Sequence, residues 1–345
     1  MKVLLGMSGG LDSSYAVLKL RKMGYEVEGA IVKMHSYTEL GEARSVAAEL
    51  GLVLHEIDAA VEFEKAVVAD FIREYRAGRT PNPCVVCNSD VKFKALCDYA
   101  VNNGFDKIAT GHYSDIVEVD SEGGKRYAVR RSADHRKDQT YMLWRLPQSI
   151  LSKLIFPLSD EIKTDVRSKT VSKLKSVADR SESQEICFVP DCDYAGFIES
   201  RIGPSIPGDF IDPAGKILGK HKGIIHYTVG QRKGLGISLG ERAFITEINV
   251  ENNTITLDTK DRFSDRFAVE NMVFSGMDEP SVFESIDLEV KHRYLAPLTK
   301  ATLTYLGNGN GEVQLSEPVR AVTPGQSAVF YKENVLMAGG FISLI

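Results

Sequence analysis

Over the first half of the chain, short apolar runs alternate with stretches of helical spacing. Residues 3–5 form an apolar run of strand length, followed by a glycine-rich turn. A helical pattern then runs over 11–23 until Gly24 stops it. The same alternation predicts strands over 26–35, 52–58 and 107–110, with helices over 39–50, 61–76 and 90–101 between them. Strands and helices of these lengths in alternation predict an α/β domain with a doubly wound parallel sheet, whose ligands sit at the carboxyl ends of the strands. Pro81 and Pro83 predict an extended loop over 78–88. Residues 113–132 alternate around Gly123-Gly124 and predict a hairpin inserted in the sheet domain. An apolar helix carrying the lone Trp144 as a core residue is expected next, then a helix over 163–177.

The pattern changes at 201–208, where glycine, proline and serine mark a linker. From residue 244 onward helical periodicity is gone, and short alternating segments separated by turns predict an all-β region. The expected division is a catalytic domain over 1–202, a small mixed domain over 207–270 and a β-barrel over 271–345. Between Asp212 and Glu241 there is no acid, but Lys216, Lys220, Lys222, Arg232 and Lys233 fall there. In a chain of net charge −5, such a stretch is either a solvated face or a phosphate contact. The overall charge excludes a uniformly basic nucleic-acid binder, but not local basic patches. No apolar run reaches membrane-spanning length, and the first strand begins at once, so neither a signal peptide nor a membrane partner is expected. Five cysteines fit a reducing cytoplasm and working thiols.

The first turn, Gly6-Met-Ser-Gly-Gly-Leu-Asp-Ser13, carries chemistry. Gly9 and Gly10 let backbone N–H groups approach a phosphate, and the helix N-terminus favours negative charge. Asp12 would repel phosphates unless Mg²⁺ stands between them. Neither a Walker A lysine nor a dinucleotide glycine spacing is present. The string resembles the signature of the ATP pyrophosphatases, the PP-loop enzymes, which cleave ATP between its α and β phosphates.

Thr80-Pro-Asn-Pro-Cys-x-x-Cys-Asn88, Ala109-Thr-Gly-His-Tyr113, Lys137-Asp-Gln139, Glu185-Ile-Cys-Phe188, Val229-Gly-Gln-Arg-Lys-Gly-Leu-Gly236 and Pro324-Gly-Gln-Ser-Ala-Val-Phe-Tyr331 extend the resemblance over the whole chain. Together, in this order, they resemble the tRNA-specific 2-thiouridylases, the MnmA/TrmU family. The resemblance implies adenylation of the C2 oxygen of a wobble uridine in tRNA of the Lys, Glu and Gln type, followed by sulfur transfer. It implies ATP bound at Gly6, Met7, Ser8, Gly9, Gly10, Leu11, Asp12, Ser13, Met34 and Gly111. It further implies that tRNA is met at Asn82, Pro83, Cys84, His112, Lys137, Asp138, Gln139, Arg232, Lys233, Arg293, Tyr294 and Gln326, and that an upstream donor, such as a cysteine desulfurase or relay protein, supplies the sulfur. By the family pattern Cys187 carries a persulfide and Cys87 resolves it, leaving a disulfide.

The chain departs from the family at Cys84, where Asn-Pro-Asp is usual. Cys84, Cys87 and Cys187 therefore also resemble tRNA thiolases whose three cysteines hold an iron–sulfur cluster. A third thiol has little use in a two-thiol exchange, which tilts the expectation slightly toward the cluster. Another PP-loop synthetase or amidotransferase, and a nucleotide-binding module without turnover, are the alternative functions. Cys97 reads as a core residue, and nothing singles out Cys192.

Overall fold

The computed structural model describes residues 1–174, 177, 186–237, 240, 242–260 and 262–343. Five parallel strands form the first sheet in the order Leu54–Asp58, Glu26–Lys33, Lys2–Gly6, Lys107–Thr110 and Leu154–Ile155. Alternation along the first strand explains the two layers. Val3 and Leu5 pack with Ala16, Val17 and Leu20 of helix Leu11–Lys22 and Val46 of helix Leu40–Glu49. Leu4 points the other way, into a core with Phe63, Phe71 and Leu96. Both faces are covered, as a parallel sheet requires. The chain winds outward on both sides of the first strand, so the switch point lies between Lys2–Gly6 and Lys107–Thr110.

The helix expected over 61–76 is present as Ala60–Phe63, a π turn Glu64–Val68 and Ala69–Arg76. The loop expected over 78–88 is not extended throughout. A helix begins at Pro83, runs to Cys87, passes through a π turn Asn88–Lys92 and continues as Phe93–Asn102. Pro83 occupies the first helical turn, where its missing N–H has no intrahelical partner to lose and its fixed φ suits the helix. Proline here starts a helix, and both cysteines of the pair ride on it.

Two other expectations change. The hairpin Ser114–Ser121 and Gly124–Arg131 forms, but it joins the C-terminal sheet through Arg130 and Val335. The segment around Trp144 is not a helix: Thr140–Met142 makes one 3-10 turn and Trp144 lies beyond it. Trp144 is fully buried, its Nε1 donates to Ser327 Oγ at 3.0 Å, and its ring meets Phe341 edge-on at 5.2 Å. These contacts, and Pro147 three residues on, override the apolar helical pattern. The next helix spans Lys163–Val171, with a turn at 172–173, while the remainder expected to 177 is only partly within the described residues. The stretch 181–185 before Cys187 lies outside them. Helix Tyr194–Ile202 follows, capped by Asp193, whose Oδ1 accepts from Gly196 N at 2.9 Å.

The small mixed sheet has the order Phe244–Asn249, Thr254–Asp258, Gly208–Ile211 and Ile217–His221. Six antiparallel strands then close into a barrel, since Phe263–Phe274 pairs with both Asn310–Arg320 and Val335–Ser343. The expected division at 270/271 therefore falls inside a barrel strand. The barrel has its own interior, including Leu303, Val313 and Phe330. Its outer residues Val329, Tyr331 and Leu336 share the core of the N-terminal domain with Tyr141 and Trp144.

Gly339 shows how closely these domains meet, because a Cβ there would stand 2.6 Å from the Trp144 ring. Gly339→Ala is expected to destabilise the protein by about 1–3 kcal/mol through overpacking. A lower urea midpoint checks this, and an unchanged midpoint contradicts it.

Candidate active site

The first turn forms between strand Lys2–Gly6 and helix Leu11–Lys22. Helix Leu11–Lys22 begins with Gly10 as its cap and has no side-chain cap of its own. Gly9 has φ +76°, and a Cβ there would stand 2.7 Å from Ala43 N. Gly111, at the end of the neighbouring strand, would place a Cβ 2.9 Å from Ser13 N. Two elements thus approach the loop more closely than a side chain at Gly9 or Gly111 would permit. Ser8 Oγ accepts from Gly10 N at 3.3 Å, while the hydroxyls of Ser13 and Ser14 donate to Gly10 O at 3.0 and 2.7 Å. Met7 N donates to Ala30 O at 2.7 Å and ties the loop to the next strand.

Asp12 is gripped from two sides. Lys163 Nζ donates to its Oδ2 at 2.6 Å, and the Tyr113 hydroxyl donates to its Oδ1 at 3.0 Å. Lys163 carries no local signature, and it lies 151 residues away in sequence. Asp12 is the loop's one carboxylate, so Mg²⁺ would fit there only with triphosphate oxygens filling its remaining positions.

One of the thiols meets the end of the strand next to this loop's own. Cys87 is buried, and its thiol donates to Met34 Sδ at 3.4 Å, so the cysteine helix and the ATP-side strand end are in contact. Cys84 and Cys187 are exposed. Burial pushes the Cys87 thiol up to about 11, and desolvation by the surrounding protein also pushes up Cys84 and Cys187, although both reach the surface. The charge of Lys92 draws all three back down, while Cys187 and Cys84 raise Cys87 and Cys84 raises Cys187. Lys92, absent from the sequence reading, ends the π turn, and its Nζ donates to Asn88 Oδ1 at 3.1 Å. Among the described residues, no group of three or more His, Cys, Asp or Glu is arranged to hold a metal ion. The expected iron–sulfur ligand set of Cys84, Cys87 and Cys187 therefore has no support in this arrangement.

The residues expected to meet tRNA fall into two groups. Arg232 and Lys233 are exposed, on a loop whose Gly230 lies beside Arg293. Lys137 is half-buried. The others are built into the framework. Asp138 is buried, with Arg131 Nε donating to its Oδ2 at 3.0 Å and Lys291 Nζ at 3.7 Å. Gln139 Oε1 accepts from Tyr113 N at 2.9 Å. Gln326 Nε2 donates to the carbonyls of Thr80 and Pro81 at 3.1 and 3.2 Å, directly before the buried Asn82 and Pro83. Arg293 donates to Thr323 Oγ1, and the Tyr294 ring lies 6.0 Å from that of Tyr141. His112 Nδ1 shares a hydrogen bond of 2.7 Å with Thr110 Oγ1. Burial drives its ring down to about 3, and Lys92 adds to this, so the imidazole is neutral. In the basic stretch His221 is buried and bonded to Asn253 O at 3.1 Å, and Lys220 pairs with Asp209 at 2.7 Å. Cys97 is buried as expected, and Cys192 is exposed.

The elevated Cys87 thiol sets a pH dependence. Below its pKa the thiolate fraction rises with pH, so alkylation of Cys87 is expected to climb roughly tenfold per unit between about pH 7 and 10. Peptide mapping after a brief iodoacetamide pulse measures it, and a plateau by about pH 8 contradicts it.

Three family models match in succession: a tRNA methyl transferase HUP domain over 1–191, a tRNA methyl transferase PRC-barrel domain over 195–258 and an aminomethyltransferase beta-barrel domain over 264–342. Among curated relatives, the tRNA-specific 2-thiouridylase MnmA of Acetivibrio thermocellus is 42% identical over 99% of this chain and 99% of its own length. Those of Lachnoclostridium phytofermentans and Clostridium acetobutylicum are 41% and 40% identical, again over 99% of this chain and 99% of theirs. With this identity sustained through all three domains, the chain belongs to the MnmA family of tRNA-specific 2-thiouridylases.

Proposed function

We propose that the protein is a tRNA-uridine 2-sulfurtransferase that adenylates the C2 oxygen of a wobble uridine and replaces it with sulfur. One observation carries the reading: the Cys87 thiol rests against Met34, so a sulfur nucleophile meets the carboxyl end of the strand that pairs with the one leading into the glycine loop. A urea-like carbonyl has no leaving group, so activation must precede attack. In the first step the uridine O2 attacks the α-phosphorus and pyrophosphate departs. In the second, the Cys87 thiolate attacks the inner sulfur of a Cys187 persulfide. The released sulfur bonds to C2, AMP leaves with the former oxygen, and a Cys87–Cys187 disulfide remains for a two-electron reductant to reset. Mg²⁺, when bound, supplies positive charge against the triphosphate.

This chain's residues serve those steps. The Gly9–Gly10 turn and the N-terminus of Leu11–Lys22 receive phosphate oxygens, and Ser8 and Ser13 add hydroxyls. Lys163 has a side chain only 12% exposed and stands where a phosphate would compete with Asp12 for its ammonium. Lys92 favours the thiolate form of each cysteine. The exposed Arg232 and Lys233 suit the phosphate backbone of tRNA of the Lys, Glu and Gln type, whose target base must be splayed from its stack. A cysteine desulfurase or relay protein would load the exposed Cys187. Methyl transfer, named in the family models' descriptions, would leave the phosphate cradle and the neighbouring thiols without a task. No helix among the described residues is long and apolar enough to cross a membrane. Five free thiols accord with a cytoplasmic setting.

The persulfide reading is preferred to the cluster because the thiols are not arranged as metal ligands among the described residues. Cys84→Asp separates the two. It is expected to retain thiolation from a persulfide donor, since Cys84 is not one of the exchanging pair. Loss of both iron and activity in an anaerobic preparation contradicts this, because aspartate is a harder donor than thiolate.

ATP cleavage is expected to yield AMP and pyrophosphate and to depend on tRNA bearing a wobble uridine. Equal release without tRNA, or ADP as product, contradicts the function. Asp12→Ala is expected to abolish release while tRNA binding persists. Replacing Arg232 and Lys233 together is expected to weaken tRNA binding, with a log–log salt slope shallower by about one per lost phosphate contact. An unchanged salt slope contradicts the phosphate contact.

A further inference from the structure

Both groups that grip Asp12 lead back to one loop. Tyr113, whose hydroxyl donates to Asp12 Oδ1, is bound reciprocally to Gln139. Its N–H donates to Gln139 Oε1 at 2.9 Å, and its carbonyl accepts from Gln139 N at 3.1 Å. Lys163, which donates to Asp12 Oδ2, opens its helix with a backbone N–H that donates to Asp134 Oδ2 at 3.1 Å. The other oxygen of Asp134 accepts from Arg136 N at 3.2 Å, and Asp134 O accepts from Lys137 N at 3.0 Å. The two arms therefore start on either side of the Arg136–Lys137 tip. Arg136 there carries a side chain 89% exposed. Behind the tip, Asp138 is buried and anchored to Arg131 and to Lys291 of the barrel, so the loop has a fixed base.

We infer that Gln139 and Asp134 are positioning residues that transmit tRNA docking on the Arg136–Lys137 tip to the ATP-loop carboxylate Asp12. The inference rests on the ATP-and-tRNA reading above and gives that reading a reason for tRNA-dependent adenylation. While Lys163 and Tyr113 hold both Asp12 oxygens, the carboxylate is engaged by the protein. A phosphate backbone pressed on the tip displaces the loop. That displacement shifts Tyr113 through two hydrogen bonds and shifts the start of the Lys163 helix through one. Each link is a direct hydrogen bond between groups at least partly buried, and Tyr113 and Asp134 are only 2% and 6% exposed. A connection this short can pass a small displacement without dissipating it in mobile side chains. Gln139 serves through the carbonyl of its side chain, which faces Tyr113.

That orientation supplies the test. Gln139→Glu keeps an acceptor for Tyr113 N, but removes the amide donors and adds a negative charge that repels RNA. Gln139→Met keeps the length and removes the acceptor. Tyr113→Phe removes only the hydroxyl on Asp12. Pyrophosphate release is measured at saturating ATP and tRNA, and tRNA affinity is measured separately by filter binding. Gln139→Met and Tyr113→Phe are expected to lose roughly tenfold or more of the tRNA-saturated rate, with tRNA affinity within about twofold of wild type. Gln139→Glu is expected to retain the saturated rate even where its affinity falls. A Gln139→Met defect that extra tRNA fully restores, or a Gln139→Glu rate as low as that of Gln139→Met, overturns the inference in favour of a direct RNA contact. Wild-type stimulation by tRNA together with full activity of Gln139→Met and Tyr113→Phe overturns the transmission alone. Absence of stimulation in the wild type overturns the function and the transmission together.

Discussion

The turn that leads into the cysteine helix is held by the barrel. Thr80 N donates to Pro324 O at 2.8 Å, and Gln326 Nε2 spans the carbonyls of Thr80 and Pro81. Arg79 completes the join, donating to Glu74 of its own domain at 2.6 Å and to Glu270 of the barrel at 3.1 Å. The helix carrying Cys84 and Cys87 starts two residues after this clamp, so its position depends on a domain more than 240 residues away in sequence. The shared core of Tyr141, Trp144, Val329, Tyr331 and Leu336 keeps the two domains from sliding. A catalytic constellation set on a helix start needs this support, because sub-ångström displacement of a nucleophile is expensive in rate.

Around that fixed point the chemistry is a balance between burial and charge. A buried cleft excludes water from an adenylated base, but it also disfavours the thiolate that must react. Cys87 carries that penalty most visibly, and Lys92 offsets part of it. The same logic applies at the ATP loop, where Asp12 is tolerated beside a phosphate site because Lys163 and Tyr113 occupy its oxygens. Both compensating lysines sit at helical boundaries, Lys92 at the end of a π turn and Lys163 at the start of a helix. Neither belongs to a short motif.

What the sequence made legible was local. Periods of helix and strand located the parallel sheet, and the glycine spacing located the turn before helix Leu11–Lys22, because both depend on neighbours a few residues apart. The barrel strands were legible for the same reason, except Phe263–Phe274, whose register shifts break its alternation. Pro83 was misread because the proline rule has two sides: the residue breaks a helix interior and suits a helix start. Trp144 was recognised as core but placed on a helix, since its partners Ser327 and Phe341 lie far along the chain. The hairpin at 114–131 gives no local sign that it extends the barrel sheet. In the site, the three cysteines and the loop could be named from motifs. The grips on Asp12 could not, because Tyr113 and Lys163 reach it across 101 and 151 residues.

In the proposed reaction, sulfur reaches an adenylated uridine from a Cys187 persulfide, with Cys87 as the resolving thiol. A single turnover in the absence of reductant tests it most directly. Nucleoside analysis of the tRNA gives the 2-thiouridine formed, and non-reducing peptide mapping gives the Cys87–Cys187 disulfide. The account predicts that the two appear in equal amounts. Formation of 2-thiouridine with both thiols still free would contradict it.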